Sequence, residues 1–221
     1  MKLILFFVLG LWSISFGLIG ETQFVFRETT ADQSIYLTSR EIPQPDGWLL
    51  LSESPLGESH RLRINESLET LSWTHINPEA DINYTAERSG NRIQLRGVNG
   101  GQRVNQDFTL SRNLPWIQSL ERSLADFVVS GRSRIEFWTI QPGDLVFRRL
   151  LAQRQGSSMI QVNGEPVEAV EVRISLPGIG SIFWSMSYWY RASDGQFVLS
   201  RSVRGWPGTP ETLVEMVSSQ S

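Results

Sequence analysis

The sequence predicts a mainly β fold: a curved antiparallel sheet, half or open barrel, of roughly a dozen strands wrapped around one amphipathic helix. Three observations carry this. From residue 21 onward apolar side chains recur with a period of two, in runs separated by Gly, Asn, Asp and Pro. One stretch breaks the period: in "NLPWIQSLERSLADFVVSG", Trp116, Leu120, Leu124 and Val128 stand four residues apart. A meander of such length must also curl to bury its apolar face, and that helix is the segment available to fill it.

The elements follow in order. "FVFRETTADQSIYLTS" is two strands turning at Thr30–Asp32, and "DGWLLLSES" is a third, introduced by Pro43 and Pro45. "HRLRIN" sets Leu62 and Ile64 against Arg61 and Arg63; "TLSWTHI" sets Leu71, Trp73 and His75 against Ser72 and Thr74. "DINYTAERSGNRIQLRG" is a hairpin with Ile82, Tyr84, Ala86, Ile93 and Leu95 inward, a pattern of sheets with one wet face. The helix is expected near 115–129, with Pro115 in its first turn, Gly131 at its end, and Glu121, Arg122 and Asp126 toward water. Strands resume in "SRIEFWTIQPGD" and "LVFRRLLAQR". "MIQVNGEPVEAVEVRISL" is a hairpin about Asn163-Gly164, read with Ile160, Val162, Val170, Val172 and Ile174 all inward. "SIFWSMSYWYRASDGQFVLSR" turns at Asp194-Gly195, with Trp184, Met186, Tyr188 and Tyr190 on one face and Ser185, Ser187 and Trp189 on the other; "ETLVEMV" is the last strand. Trp189 is either a surface aromatic or is covered by a loop.

The first 20 residues have one cation, Lys2, then an apolar run to Ile19. This is the pattern of an export signal, with a retained membrane anchor as the alternative, because the run is near the ~20 residues that span a bilayer. The expected division is a leader over 1–20 and one β-rich domain over 21–221, periplasmic or secreted. The whole chain carries a formal net charge of −3 with no basic block, which argues against a nucleic-acid partner. Absence of cysteine excludes disulfides, thiolate metal sites and cysteine-linked lipid. A monomer is expected.

The order of leader, meander, "LPWIQSLERSLADFVVSG", and a second meander containing "QVNGEPVEAVEVRI" and "YWYRASDGQFVLSRSV" resembles a group of exported bacterial proteins of unknown function. That group is akin to the half-barrel lipoprotein carriers of the Gram-negative envelope. The resemblance implies a half-barrel, a periplasmic location and an apolar or lipid-like ligand. It transfers no activity and no ligand residue by position, and this chain lacks the lipid-bearing cysteine of anchored members.

Catalytic motifs are missing. The only lysine is Lys2, which rules out a P-loop; "GIGS" at 178–181 lacks the third glycine of a dinucleotide fingerprint; no G-x-S-x-G elbow occurs. Glu58, His60 and His75 could supply three zinc ligands if their strands pair, although histidines on such strands serve more often as hydrogen-bonded residues. No enzyme, cofactor or metal is expected. The aromatic residues point instead to binding: Trp138, Trp184, Met186, Tyr188 and Tyr190, with Trp116 from the helix, are the candidate ligand contacts, since Tyr and Trp suit an amphipathic guest. The same side chains could simply fill the core. A carrier for a lipid-like molecule is the first reading, an envelope protein-interaction module with a packed interior the second, and a hydrolase the third.

Overall fold

A computed structural model describes residues 20–111, 113–178, 184–203 and 210–220. The leader-like run through Ile19, together with Ile182 and Phe183 of the aromatic stretch, lies outside the described residues. The strands are β1 (Thr22–Thr30), β2 (Gln33–Gln44), β3 (Gly47–Glu53), β4 (Ser59–Asn65), β5 (Thr70–Asn77), β6 (Ile82–Ser89), β7 (Arg92–Asn99), β8 (Gln102–Thr109), β9 (Arg134–Ile140), β10 (Phe147–Val162), β11 (Glu165–Ser175), β12 (Ser185–Arg191), β13 (Phe197–Val203) and β14 (Glu211–Gln220). Two short helices, α1 (Leu120–Ser123) and α2 (Ala125–Val129), lie between β8 and β9.

All fourteen strands join one sheet, in the order β8-β7-β6-β5-β4-β3-β2-β1-β14-β13-β12-β11-β10-β9, antiparallel at every pairing. The order is that of the chain, interrupted only where β1 pairs with β14, so that Gln23 lies opposite Gln220. Among the described residues the sheet is not closed by hydrogen bonds. It is nonetheless strongly curled. If flat, it would hold β8 and β10 on the order of 60 Å apart at the usual strand spacing. Instead Phe108 of β8 stacks on Phe147 of β10 at 4.9 Å, and Phe147 stacks on Trp138 of β9 at 4.6 Å.

The long helix expected over 115–129 is absent. Residues 115–118 are extended because their backbone groups have better partners elsewhere than in a helical turn. Pro115 and Ile117 exchange hydrogen bonds with Trp138, and the Trp116 carbonyl accepts from Thr70. Trp116 and Trp138 form a parallel bridge. The Gln118 side chain acts as a further strand residue, its amide donating to the Ile140 carbonyl at 2.7 Å and accepting from the Ile140 N–H at 3.1 Å. Helix begins only at the Ser119 cap. Gly131 does follow the helical residues with φ of 69°. Arg122, expected in water, is half-buried, whereas Glu121 and Asp126 are exposed.

Segment 115–118, β9 and the start of β10 form a partition between two cores. Phe137, Leu150, Ala152 and Ile117 face the first core, with α2, Tyr190 and Phe197. Ile140, Trp116 and Phe147 face the second, with Trp73, Tyr84, Ile64 and Leu95 from the β3–β7 meander. Alternation along a strand explains this, as neighbouring residues Trp116 and Ile117 enter opposite cores. α2 seats on the Asp194-Gly195 turn, where a Cβ on Gly195 (φ +71) would lie 2.6 Å from the Ala125 carbonyl.

Two local expectations also change. Pro43 is inside β2, opposite Trp48, and the turn falls at Pro45-Asp46. In the β10–β11 hairpin Val162 pairs with Glu165 and Ser157 with Val170, so Ile160 and Val162 share a face with Ala169, opposite to that of Val170, Val172 and Ile174. A two-residue turn fixes this parity. Both faces are apolar because the arm-like end of the hairpin folds onto the outer face of the sheet. There Val162, Ala169, Val198 and Leu199 form a small third cluster with Ile160, Val167 and Trp189. The tip is held by Glu215, which accepts from the Asn163 N–H and from Arg27. Trp189 is thus covered, half-buried beneath this arm and beside Arg201.

Candidate functional site

The partition separates the six aromatic-site candidates. Trp116 is fully buried in the second core. Trp138, half-buried, stacks on Phe147 and donates its indole N–H to the Ser111 carbonyl. Trp184, Met186, Tyr188 and Tyr190 all belong to the first core and follow one another along the inner face of β12. Their exposure is graded. Tyr190 is 0% exposed, with its hydroxyl donating to the Leu120 carbonyl; Tyr188 is 9% exposed; Met186 and Trp184 are half-buried. The helices cover the Tyr190 end, and the Trp184 end is half-buried. Half-buried Leu37, Val214 and Met216 extend that apolar surface across β2 and β14. Ser185 and Ser187 point to the other face, toward Arg173 and Glu171.

Two of the clefts lined by described residues include none of the six. One of about 410 Å³ is bounded by Glu69, Arg88, Asn91, Leu110 and Leu114. The other, about 180 Å³, is bounded by Leu51, Ser52, His60, Arg61, Thr74 and Ile76.

His60 leads into a polar cluster in the second core. The β4–β5 register sets His60 opposite His75, their rings stacked at 4.2 Å, and Glu58 approaches both from the β3–β4 turn. Glu58 lies 2.8 Å from His75 Nε2 and 3.3 Å from His60 Nε2. Trp73 Nε1 donates to His60 Nδ1 at 3.1 Å, and His75 Nδ1 lies 2.8 Å from the Tyr84 hydroxyl. Donor and acceptor roles follow by elimination. An indole N–H only donates and an ionised carboxylate only accepts. Each histidine therefore presents Nε2–H to Glu58, His60 Nδ1 accepts from Trp73, and His75 Nδ1 shares a hydrogen bond with the Tyr84 hydroxyl. These two hydrogen bonds hold the Glu58 carboxyl far below its ordinary range. Burial pushes the Tyr84 hydroxyl well above its own.

The three ligand atoms lie within 4.8 Å of one another, and each is already engaged in the hydrogen-bond network. A cation on His60 Nε2 would move the ring proton to Nδ1 and set it against the Trp73 N–H.

Sequence reasoning missed one further feature. On the inner face of β2, after Leu37 and Ser39, comes the carboxylate of Glu41, 3.1 Å from Arg122 Nε of α1. Burial raises the Glu41 carboxyl above its ordinary range despite the cation. The Arg122 guanidinium lies 4.6 Å above the Trp48 ring. Its Nε is shut off from solvent yet not aligned for a hydrogen bond with any acceptor. The signal was present: period two from Leu37 puts Glu41 on the apolar face.

A scan of protein-family models found no match, and a search of curated proteins found none. Among solved structures, the chain is similar to the β-barrel-like protein of domain of unknown function DUF1849 from Brucella abortus. The TM-score is 0.55 at 6% identity, over 90% of this chain and 97% of that one. It is also compared with the hypothetical lipoprotein YmcC from Escherichia coli (K12), with TM-score 0.43 and 15% identity over 90% and 83% of the two chains. The first likeness identifies the fold as β-barrel-like. Among the described residues no helix is long and apolar enough to cross a membrane.

Proposed function

We propose that the chain is an exported, non-catalytic module of the bacterial envelope that holds an apolar or amphipathic molecule against the inner face of its sheet. The observation that carries this reading is the gradient along β12, from buried Tyr190 to half-buried Met186 and Trp184, continued by Leu37, Val214 and Met216. A side chain that only fills a core is covered on all sides, whereas an apolar strip left half-covered offers area to a guest. The leader-like N-terminus supports export.

Replacement of Trp184 tests the reading. Trp184→Ala is expected to cost well under the about 3–5 kcal/mol of a fully buried aromatic deletion, because the ring is only half-buried. It is also expected to weaken binding of a fluorescent fatty acid severalfold, and Ser185→Ala to change neither quantity. A large fall in melting temperature, with no probe bound by the wild type, would overturn the carrier and leave a packed interaction module.

A further inference from the structure

We propose that the Arg122–Glu41 pair is a head-group station for an anionic amphiphile, a carboxylate or phosphate carried on an apolar chain. This rests on the reading of the inner face as the seat of that chain, and it adds the chemical class of the guest.

The position comes first. Glu41, Ser39 and Leu37 are successive inner-facing residues of β2, at about 6.6 Å per pair of residues. Leu37 packs on the first core, beside Phe26, which in turn pairs with Met216 of β14. A head group at Glu41 therefore has an apolar track starting about 13 Å away along the same strand. Solvent reaches the station, since the Arg122 and Glu41 side chains are 21% and 19% exposed.

The chemistry comes second. A half-buried ion pair gains little unless both partners are fully hydrogen-bonded, and this one is not. Arg122 Nε has a carboxylate oxygen at 3.1 Å but no aligned acceptor. The guanidinium carbon lies 4.6 Å from the centre of the Trp48 ring and the side chain is 21% exposed, so a planar or tetrahedral oxyanion can reach the fork from solvent. An oxyanion free to rotate can meet two N–H groups at once, which Glu41, tied to a strand, does not. The burial that makes the Glu41 charge costly eases its neutralisation when a second anion arrives.

The test uses cis-parinaric acid and its methyl ester, which share a chain and differ in charge, titrated against the full chain and its variants with melting temperature followed in parallel. The wild type is expected to bind the acid about tenfold more tightly than the ester. Arg122→Gln is expected to erase that ratio by weakening the acid alone, Arg122→Lys to keep part of it, and Glu41→Gln to tighten the acid severalfold while leaving the ester unchanged. Dodecyl phosphate is expected to displace the acid. Equal binding of acid and ester by the wild type, or a ratio that survives Arg122→Gln, overturns the station and leaves the carrier reading standing. Binding of neither probe overturns both. Displacement by inorganic phosphate at the same concentration as dodecyl phosphate overturns the amphiphile in favour of a bare anion site. Should Arg122→Gln fail to fold, Glu41→Gln decides, and no gain in acid affinity overturns the proposal.

Discussion

A single indole N–H sets the tautomer of His60, because Trp73 can only donate and the atom it meets is His60 Nδ1. The whole cluster then depends on Glu58 remaining ionised between two Nε2–H groups. Its carboxyl is held below the ordinary 4.5 in the folded chain, chiefly by the hydrogen bonds from His60 and His75. A folded value below the unfolded one means that the stabilisation is complete above about 4.5 and is lost as pH falls through the folded value. Urea unfolding from about pH 6 to about pH 3 should therefore show a steeper loss of stability for the wild type than for Glu58→Gln. Equal slopes would show that the carboxylate does not hold the histidines. The pairing of His60 with His75 was legible in principle from two adjacent strands. The part played by Trp73 was not, because a side-chain hydrogen bond across strands leaves no period in the sequence.

Among the elements, segment 115–118 shows where local reasoning stops. Trp116, Leu120, Leu124 and Val128 do repeat every four residues, and Leu124 and Val128 are buried as a helix face would be. The first turn is lost to partners that arrive from β5 and β9, Thr70 and Trp138, distant in sequence. Periodicity reports which residues are apolar, but the choice between helix and strand at such a segment is made by the tertiary neighbours. The hairpins were legible for the opposite reason: Asn163-Gly164 and Asp194-Gly195 are short turns, so their pairing is set within a few residues. The parity of Ile160 is not legible locally, because an apolar residue does not show which of two apolar faces it enters. Gln118→Ala tests the weight of the extended segment. It would leave both the N–H and the carbonyl of Ile140 without their partner, at about 1–3 kcal/mol each where burial excludes water. Chemical denaturation should show a loss of about 2–4 kcal/mol; a change within ±0.5 kcal/mol, as at ordinary surface sites, would mean that water replaces the amide.

For the whole molecule, the curled sheet was foreseen and its division was not. One concavity with a central plug would have put Trp116, Trp138 and Tyr188 around the same space. The partition gives each half of the sheet its own core, and the β10–β11 arm adds a third apolar contact on the outside. That arm is fastened at its tip mainly through Glu215, so Glu215→Ala should speed amide hydrogen exchange over about residues 157–168 while leaving β4–β7 protected. Unchanged exchange in the arm would place its hold in the apolar cluster alone.

The pairing of β1 with β14 has a consequence in time. Every other neighbour in this sheet is also a neighbour in the chain, so those contacts can form by short loop closures as each hairpin emerges. The first strand, by contrast, keeps one edge open until the last has been made, and the first core, which needs Phe24 and Phe26 beside Met216, stays unfinished for as long. Closing that one pair is the step with the greatest chain entropy to overcome, which makes it the natural rate-limiting event and leaves β1 the segment longest exposed to wrong partners during folding.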